Sequence, residues 1–189
     1  MSRSYRISVR ESVHRVIKAE DRVSTQLEVL EVLPPGQMAG LLADELVRRG
    51  FERDGNHLVR RQDGVTVSVD PHSGTVTVCA ECAEEAKVEG RKEGRTWDEV
   101  GPHAKQVREA LRKELQKDLE KQVEDRAGKL QSKVTDQLEG QLSDLRRELD
   151  EVVNRVTAEA LKRKAAQLGQ IKEMTEDPQS GSLTIVVEV

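Results

Sequence analysis

The residues best suited to do chemistry are two thiols, in Cys79-Ala80-Glu81-Cys82. A C-x-x-C pair can supply half of a four-ligand zinc site, or a redox couple. Neither role is well served here. No second C-x-x-C completes the ligand set, and Ala80 and Glu81 are not the Gly or Pro that shapes a metal knuckle or a redox turn. If the flanking segment is a strand, an odd offset sends the two thiols to opposite faces. The plain reading is a pair of small sheet residues. The sharper alternative is a small metal or redox protein, with one zinc shared by Cys79 and Cys82 of two subunits.

The other candidates are weaker. His14, His57, His72 and His103 have no spacing of metal ligands. The chain has no Gly-rich phosphate loop, no G-x-S-x-G elbow and no calcium loop. The acidic pairs Glu84-Glu85 and Asp150-Glu151 sit in highly charged segments, where a solvated face is the ordinary outcome. The expectation is a protein with no catalytic residues and no cofactor.

The elements that carry these residues begin with alternating segments. Tyr5, Ile7 and Val9 alternate with polar neighbours, and so do Val23, Thr25, Leu27 and Val29 after the charged stretch Lys18–Arg22. This period of two predicts two half-buried strands with a turn near Glu20-Asp21. Leu33-Pro34-Pro35 then opens a helix over Pro35–Arg49, because proline is tolerated in a first helical turn. Met38, Leu41, Leu42 and Leu46 share one face of it with Glu45. Gly50 is the expected C′ residue, with Phe51 folding back on the helix. Asp54-Gly55 and Asp63-Gly64 separate short β runs and predict hairpins. Residues 83–95 can be read as a strand extension or as a charged linker.

From His103 to Leu168 there is no proline and no aromatic residue. Apolar residues recur at Val107, Leu111, Leu115, Leu119, Val123, Ala127, Leu130, Val134, Leu138, Leu142, Leu145, Leu149, Val152 and Val156. That period is helical. From Val107 to Leu145 ten steps cover 38 residues, a mean of 3.8. A heptad zipper needs 3.5, so the tract is closer to hendecad spacing. The helix starts between Asp98 and His103, where the capping spacing of Thr96 and Glu99 competes with Gly101-Pro102. As one helix it would span ~100 Å. A fold-back at Gly128 or Gly140, giving a helical hairpin, is the favoured arrangement; the alternative is a straight helix whose last strands reach another subunit. The narrow stripe favours a helix partner over a sheet. Val107, Leu111, Leu115, Leu119, Val123, Leu130, Val134, Leu138, Leu142, Leu145 and Leu149 are thus the expected contact residues.

An internal repeat follows. Asp70-Pro71-His72-Ser73-Gly74-Thr75-Val76-Thr77-Val78 matches Asp177-Pro178-Gln179-Ser180-Gly181-Ser182-Leu183-Thr184-Ile185 at five of nine positions. Convergence of turns on this chemistry is an equally good account. Either way, Gln170–Glu176 and Ser182–Val189 are expected to form a hairpin.

Composition narrows the class. Charged residues make up 35% and aromatics 2%, so any core is aliphatic. The tract from His103 to Lys172 holds 16 Lys/Arg and 13 Asp/Glu, about +3, which leaves about −7 of the net −4 elsewhere. Neither part has the clustered cation excess of a nucleic-acid binder. No apolar run could span a membrane, and the N-terminus lacks a secretory h-region. A cytoplasmic protein is the default.

Three stretches carry a resemblance. They are Ser4-Tyr5-Arg6-Ile7-Ser8-Val9, then Thr25–Leu30 with Leu33-Pro34-Pro35 and the helix end Arg49-Gly50-Phe51, then Gly181-Ser182-Leu183-Thr184-Ile185-Val186-Val187. Together they resemble small accessory proteins of bacterial FtsH-type AAA+ ATPase ternary systems. The resemblance implies a bacterial cytoplasmic component acting with an ATPase, as an adaptor or substrate-recognition element. It brings no catalytic residues.

The expected fold is α+β: a small, mainly antiparallel sheet with one packed helix, and a long helical coiled-coil insertion before a C-terminal β-hairpin. The expected boundaries are 1–95, 96–169 and 170–189, with the last hairpin completing the sheet of its own or a partner subunit. The expected function is protein interaction, with protein partners including an AAA+ ATPase, and homo-oligomers. A self-assembling coiled-coil scaffold is a further alternative.

Overall fold

Hydrophobic alternation runs unbroken through two unusually long strands, and they set the architecture. The computed structural model describes residues 4–176 and 183–188. Strand β1 covers Tyr5–Gln26, helix α1 Pro35–Arg48, β2 Glu52–Asp54, β3 His57–Gln62, β4 Val65–Val69 and β5 Thr75–Thr96. Helix α2 covers Pro102–Leu168, followed by β6 Gln170–Glu176 and β7 Leu183–Glu188. The fold is α+β, as expected. The larger sheet has the antiparallel order β1-β5-β4-β3-β2, and β6-β7 form a two-stranded sheet of their own.

The turn expected near Glu20-Asp21 does not exist. β1 passes straight through that segment, and its odd-numbered residues keep one face. Ile7, Val9, Ile17 and Ala19 are all buried. Asp21 shares their parity, and the Thr135 hydroxyl donates to its carboxylate at 2.7 Å. The charged stretch is thus accommodated within the strand. Residues 83–95 prove to be strand, with Ala86 and Val88 buried on the even-numbered face that also carries Val76, Val78 and Ala80.

Local turn chemistry acts as read. Asp63 and Gly64 both take positive φ, 51° and 76°, and join β3 to β4. Gly55, at φ 61°, opens the two-residue turn between β2 and β3. Gly50 takes φ 84° after α1. Its N–H reaches the Val47 carbonyl at 3.0 Å, and the Phe51 N–H reaches Leu46 at 3.1 Å. That is the Schellman pattern, and it buries Phe51. In the competition at the start of α2, Pro102 takes the first position and the Lys105 N–H bonds back to Gly101.

Helix α2 does not fold back. It runs as one helix of 67 residues through both Gly128 and Gly140. Each glycine costs only ~1 kcal/mol in a helix. Nothing lies within 4 Å of where either Cβ would be, so no neighbour forces a bend there.

The chain divides into two compact units, Met1–Glu20 with Glu81–Val134, and Asp21–Ala80 with Thr135–Val189. In the first, the early turns of α2 lie on β1 and β5. In the second, α1 and the later turns of α2 cover β3, β4 and the start of β5, with the β6-β7 hairpin after them. The two-stranded sheet does not complete the larger one: β1 and β2 remain its edges.

Candidate functional site

The seam on α2 already has a partner within the chain. Leu115, Leu119, Val123, Leu130, Val134, Leu138, Leu145 and Leu149 are buried, while Val107, Leu111 and Leu142 are half-buried. In the first unit their partner is a strand rather than a second helix. A Cβ on Gly90 would lie 2.7 Å from Leu115 Cδ1, and one on Gly94 would lie 3.0 Å from Leu111 Cδ1. Both glycines are on the inward, even-numbered face of β5, so the missing side chains let the helix settle onto the strand. A narrow stripe suffices because only two strands lie beneath it. Lys92 anchors the flank, with its ammonium 2.7 Å from Asp118 and 3.3 Å from Glu114. Arg112 meets Glu11 at 3.1 Å.

In the second unit the helix is locked by charge. Arg60 on β3 donates two parallel hydrogen bonds to Glu148 on α2, at 2.8 and 2.7 Å. Such a bidentate pair is stronger than a single neutral bond. It holds the Glu148 carboxyl below its ordinary range, because the Arg60 hydrogen bond outweighs the cost of burial. The same bond raises the Arg60 guanidinium against burial. The guanidinium also lies over the Phe51 ring, 4.6 Å from its centre. Beside it, Glu45 is only 6% exposed. Its carboxylate meets Arg48 and Arg49 at 3.4 Å and Arg155 at 3.5 Å. Arg49 in turn reaches Glu151 at 3.1 Å. The sequence placed Glu45 on the apolar face of α1 without showing why a charge belongs there. Three arginines, one of them on α2, are the reason.

The two thiols fall on opposite faces of β5. Cys79 has the parity of exposed Thr75 and Glu81, and Cys82 that of buried Ala80 and Ala86. Both are half-buried and neither is in a disulfide. Among the described residues no group of three or more His, Cys, Asp or Glu gathers as a metal site. His103 stacks on Trp97 with ring centres 3.2 Å apart, and its Nδ1 lies 2.7 Å from the Thr96 hydroxyl. His72 is in the turn at Asp70, where its backbone N–H donates to the Asp70 carboxylate at 2.9 Å. That bond first, and the Ser73 hydroxyl second, lower the Asp70 carboxyl. The matching turn at Asp177 lies outside the described residues.

Among the described residues, the open surfaces of the second unit include a groove and a hairpin. The groove, of about 610 Å³, lies beside α2. Leu142, Leu145, Leu149 and Val153 form one wall, and Val23, Leu27, Val76 and Val78 form the floor. Glu28, Arg146 and Asp150 line it as well. The second surface is the β6-β7 hairpin, where Met174 is 48% and Val186 44% exposed. Sequence patterning signalled the hairpin. It did not signal the groove, which is built from three segments far apart in the chain.

No helix among the described residues is long and apolar enough to cross a membrane. Comparison with curated proteins and with solved structures gives no match. The description FtsH ternary system domain X5 matches residues 1–189. The match takes in both long strands, the whole of α2 and the last hairpin, and so the chain belongs to the FtsH ternary system domain X5 family.

Proposed function

We propose that this chain is a non-enzymatic, cytoplasmic adaptor of a bacterial FtsH-type AAA+ ATPase system. Family membership supports its place as an accessory component of such a system. The observation that carries the adaptor role is the groove beside α2. It is about 610 Å³, with an apolar floor and both signs of charge along it. Such a groove suits an apolar segment of a protein partner, with the flanking charges fixing its direction. The occupant we assign is a segment of the ATPase itself. The long helix thereby serves as an interaction element through Leu142 and Val153, its half-buried groove residues, while its buried seam holds the fold.

The test uses the purified full chain and the FtsH-type ATPase of its own system. Leu142→Glu and Val153→Glu are expected to weaken binding about tenfold or more, since each removes a large apolar contact. Circular dichroism should show an unchanged fold. Absence of binding, or binding that both variants leave intact, overturns the reading.

A further inference from the structure

Among the described residues every open strand edge but one is protected in the manner of monomers. Beyond its pairing with β4, β5 carries Glu84, Glu85, Lys87, Glu89 and Arg91. β2 is three residues long, Glu52-Arg53-Asp54, all exposed. β1 is long, but Arg6, Arg10, Arg15, Lys18 and Arg22 stud it. β6 carries Lys172 and Glu173, and its ladder is broken by a register shift between Ile171 and Glu173. Short strands, charges and bulges are the usual devices that stop an edge from pairing. β7 is neither so short nor bulged, and it is nearly uncharged. It reads Leu183-Thr184-Ile185-Val186-Val187-Glu188, five uncharged strand formers and a single charge. That charge is already matched, with Glu188 2.7 Å from Lys172 on β6. The backbone also seats β7 firmly at this end, because a Cβ at Gly169 would collide with the Glu188 carbonyl.

The hairpin also has too few strands. A two-stranded sheet is marginal in water, and three or more strands with an apolar face are needed for stability. One face here carries two apolar pairs. Ile171 pairs with Val187 and Met174 with Ile185, while Leu183, Ile185 and Val187 are only half-buried. On the opposite face Val186 stands 44% exposed.

We infer that the β7 edge is an assembly site whose occupant is the β7 of a second copy. The inference deepens the reading of this chain as a protein that works by contact, and names one of its partners. The occupant follows from self-complementarity. In an antiparallel pair related by a two-fold axis, opposed residues share a face. An axis through Ile185 sets Ile185 opposite its mate and Leu183 opposite the mate of Val187, so the apolar faces of the two hairpins become one. On the other face Thr184 meets the mate of Val186. No like charges are opposed within the paired span Leu183–Val187. The product is a four-stranded sheet with protected β6 strands at both rims.

Light scattering on the full chain is expected to give twice the 21.2 kDa monomer mass at tens of micromolar. Val186→Lys places a charge on an already exposed site and should weaken dimerisation about tenfold. A second variant reads the register without a charge change. Ile185→Cys, in a background of Cys79→Ala and Cys82→Ala, should cross-link into a disulfide dimer under mild oxidation, and Thr184→Cys should not. A monomer at every concentration overturns the inference. So does a dimer indifferent to Val186→Lys, cross-linking at both cysteine positions alike, or a hairpin that pairs only with the ATPase. Groove binding of the ATPase is read separately and should survive Val186→Lys, just as dimerisation should survive Val153→Glu.

Discussion

The two halves of α2 meet the strands of their units by different means. The first half lays a single file of leucines on two strands and comes close through the notches at Gly90 and Gly94. Its ion pairs are flanking and largely exposed. Such pairs add little to stability, so this half depends on apolar contact. The second half divides its hold between buried Leu138, Leu145, Leu149, Val152 and Val156 and the part-buried arginine and glutamate network. One apolar period along a helix therefore serves two kinds of packing. The period shows that a partner exists; the partner's chemistry decides how strongly each contact matters.

The sharpest way to break this contrast is Leu119→Ala. The residue is fully buried over a thin unit, and the change should cost about 2–5 kcal/mol. Hydrogen exchange should accelerate mainly in residues 5–20 and 81–96, with β3 and β4 still protected. Uniform acceleration would show that the halves do not differ. Next, Arg60→Met should cost about 1.5–3 kcal/mol by leaving Glu148 without its bidentate donor. This pair also has a pH signature. The Glu148 carboxyl is lowered in the fold, so its contribution is full above the unfolded carboxyl range and is lost as pH falls through the folded value. The Arg60 guanidinium is raised from an already high ordinary value, so its contribution is constant through neutral and acid pH. Denaturant titrations should accordingly show an acid limb that Glu148→Gln flattens. Asp70 and Glu89 are lowered too, but both are solvated and should add less to that limb.

Gly90→Val should cost about 1–3 kcal/mol, because its branches meet Leu115 where no space exists. Gly90→Ala should be milder, since a leucine tip can shift. The smallest effect belongs to Lys92→Met. Asp118, and then Glu114, raise the Lys92 ammonium, but both partners are exposed, and the melting temperature should move very little.

Much of the fold was legible where chemistry is local. Pro35, Gly50 and Phe51 specify the two ends of α1, and Asp63-Gly64 a tight hairpin, because φ preference and capping act over a few residues. The hairpin β6-β7 was legible from the turn residues Asp177-Pro178 and Gly181 between two strand-like runs. The continuity of β1 was present in the sequence but hidden by charge. Tyr5, Ile7, Val9, Val23, Thr25 and Leu27 all share odd numbering, and no turn between them would be expected to preserve it by default. Long-range partners were not legible. Nothing near Glu148 announces Arg60, and nothing near Leu142 announces the groove. The one usable signal was Gly90 and Gly94, four apart on the inward parity of a strand. Such spacing marks a close approach by another element.

The unbroken alternation of β5 makes its length a counting problem. Val76, Val78 and Ala80 in one unit, and Ala86 and Val88 in the other, are all inward and all even. One residue inserted near Ala83 would keep the first set in place and turn the second outward, carrying Gly90 and Gly94 with it. Two inserted residues would restore every side chain to its face. Natural length variation in this strand should therefore come in even steps, as if the protein were read in a frame of two.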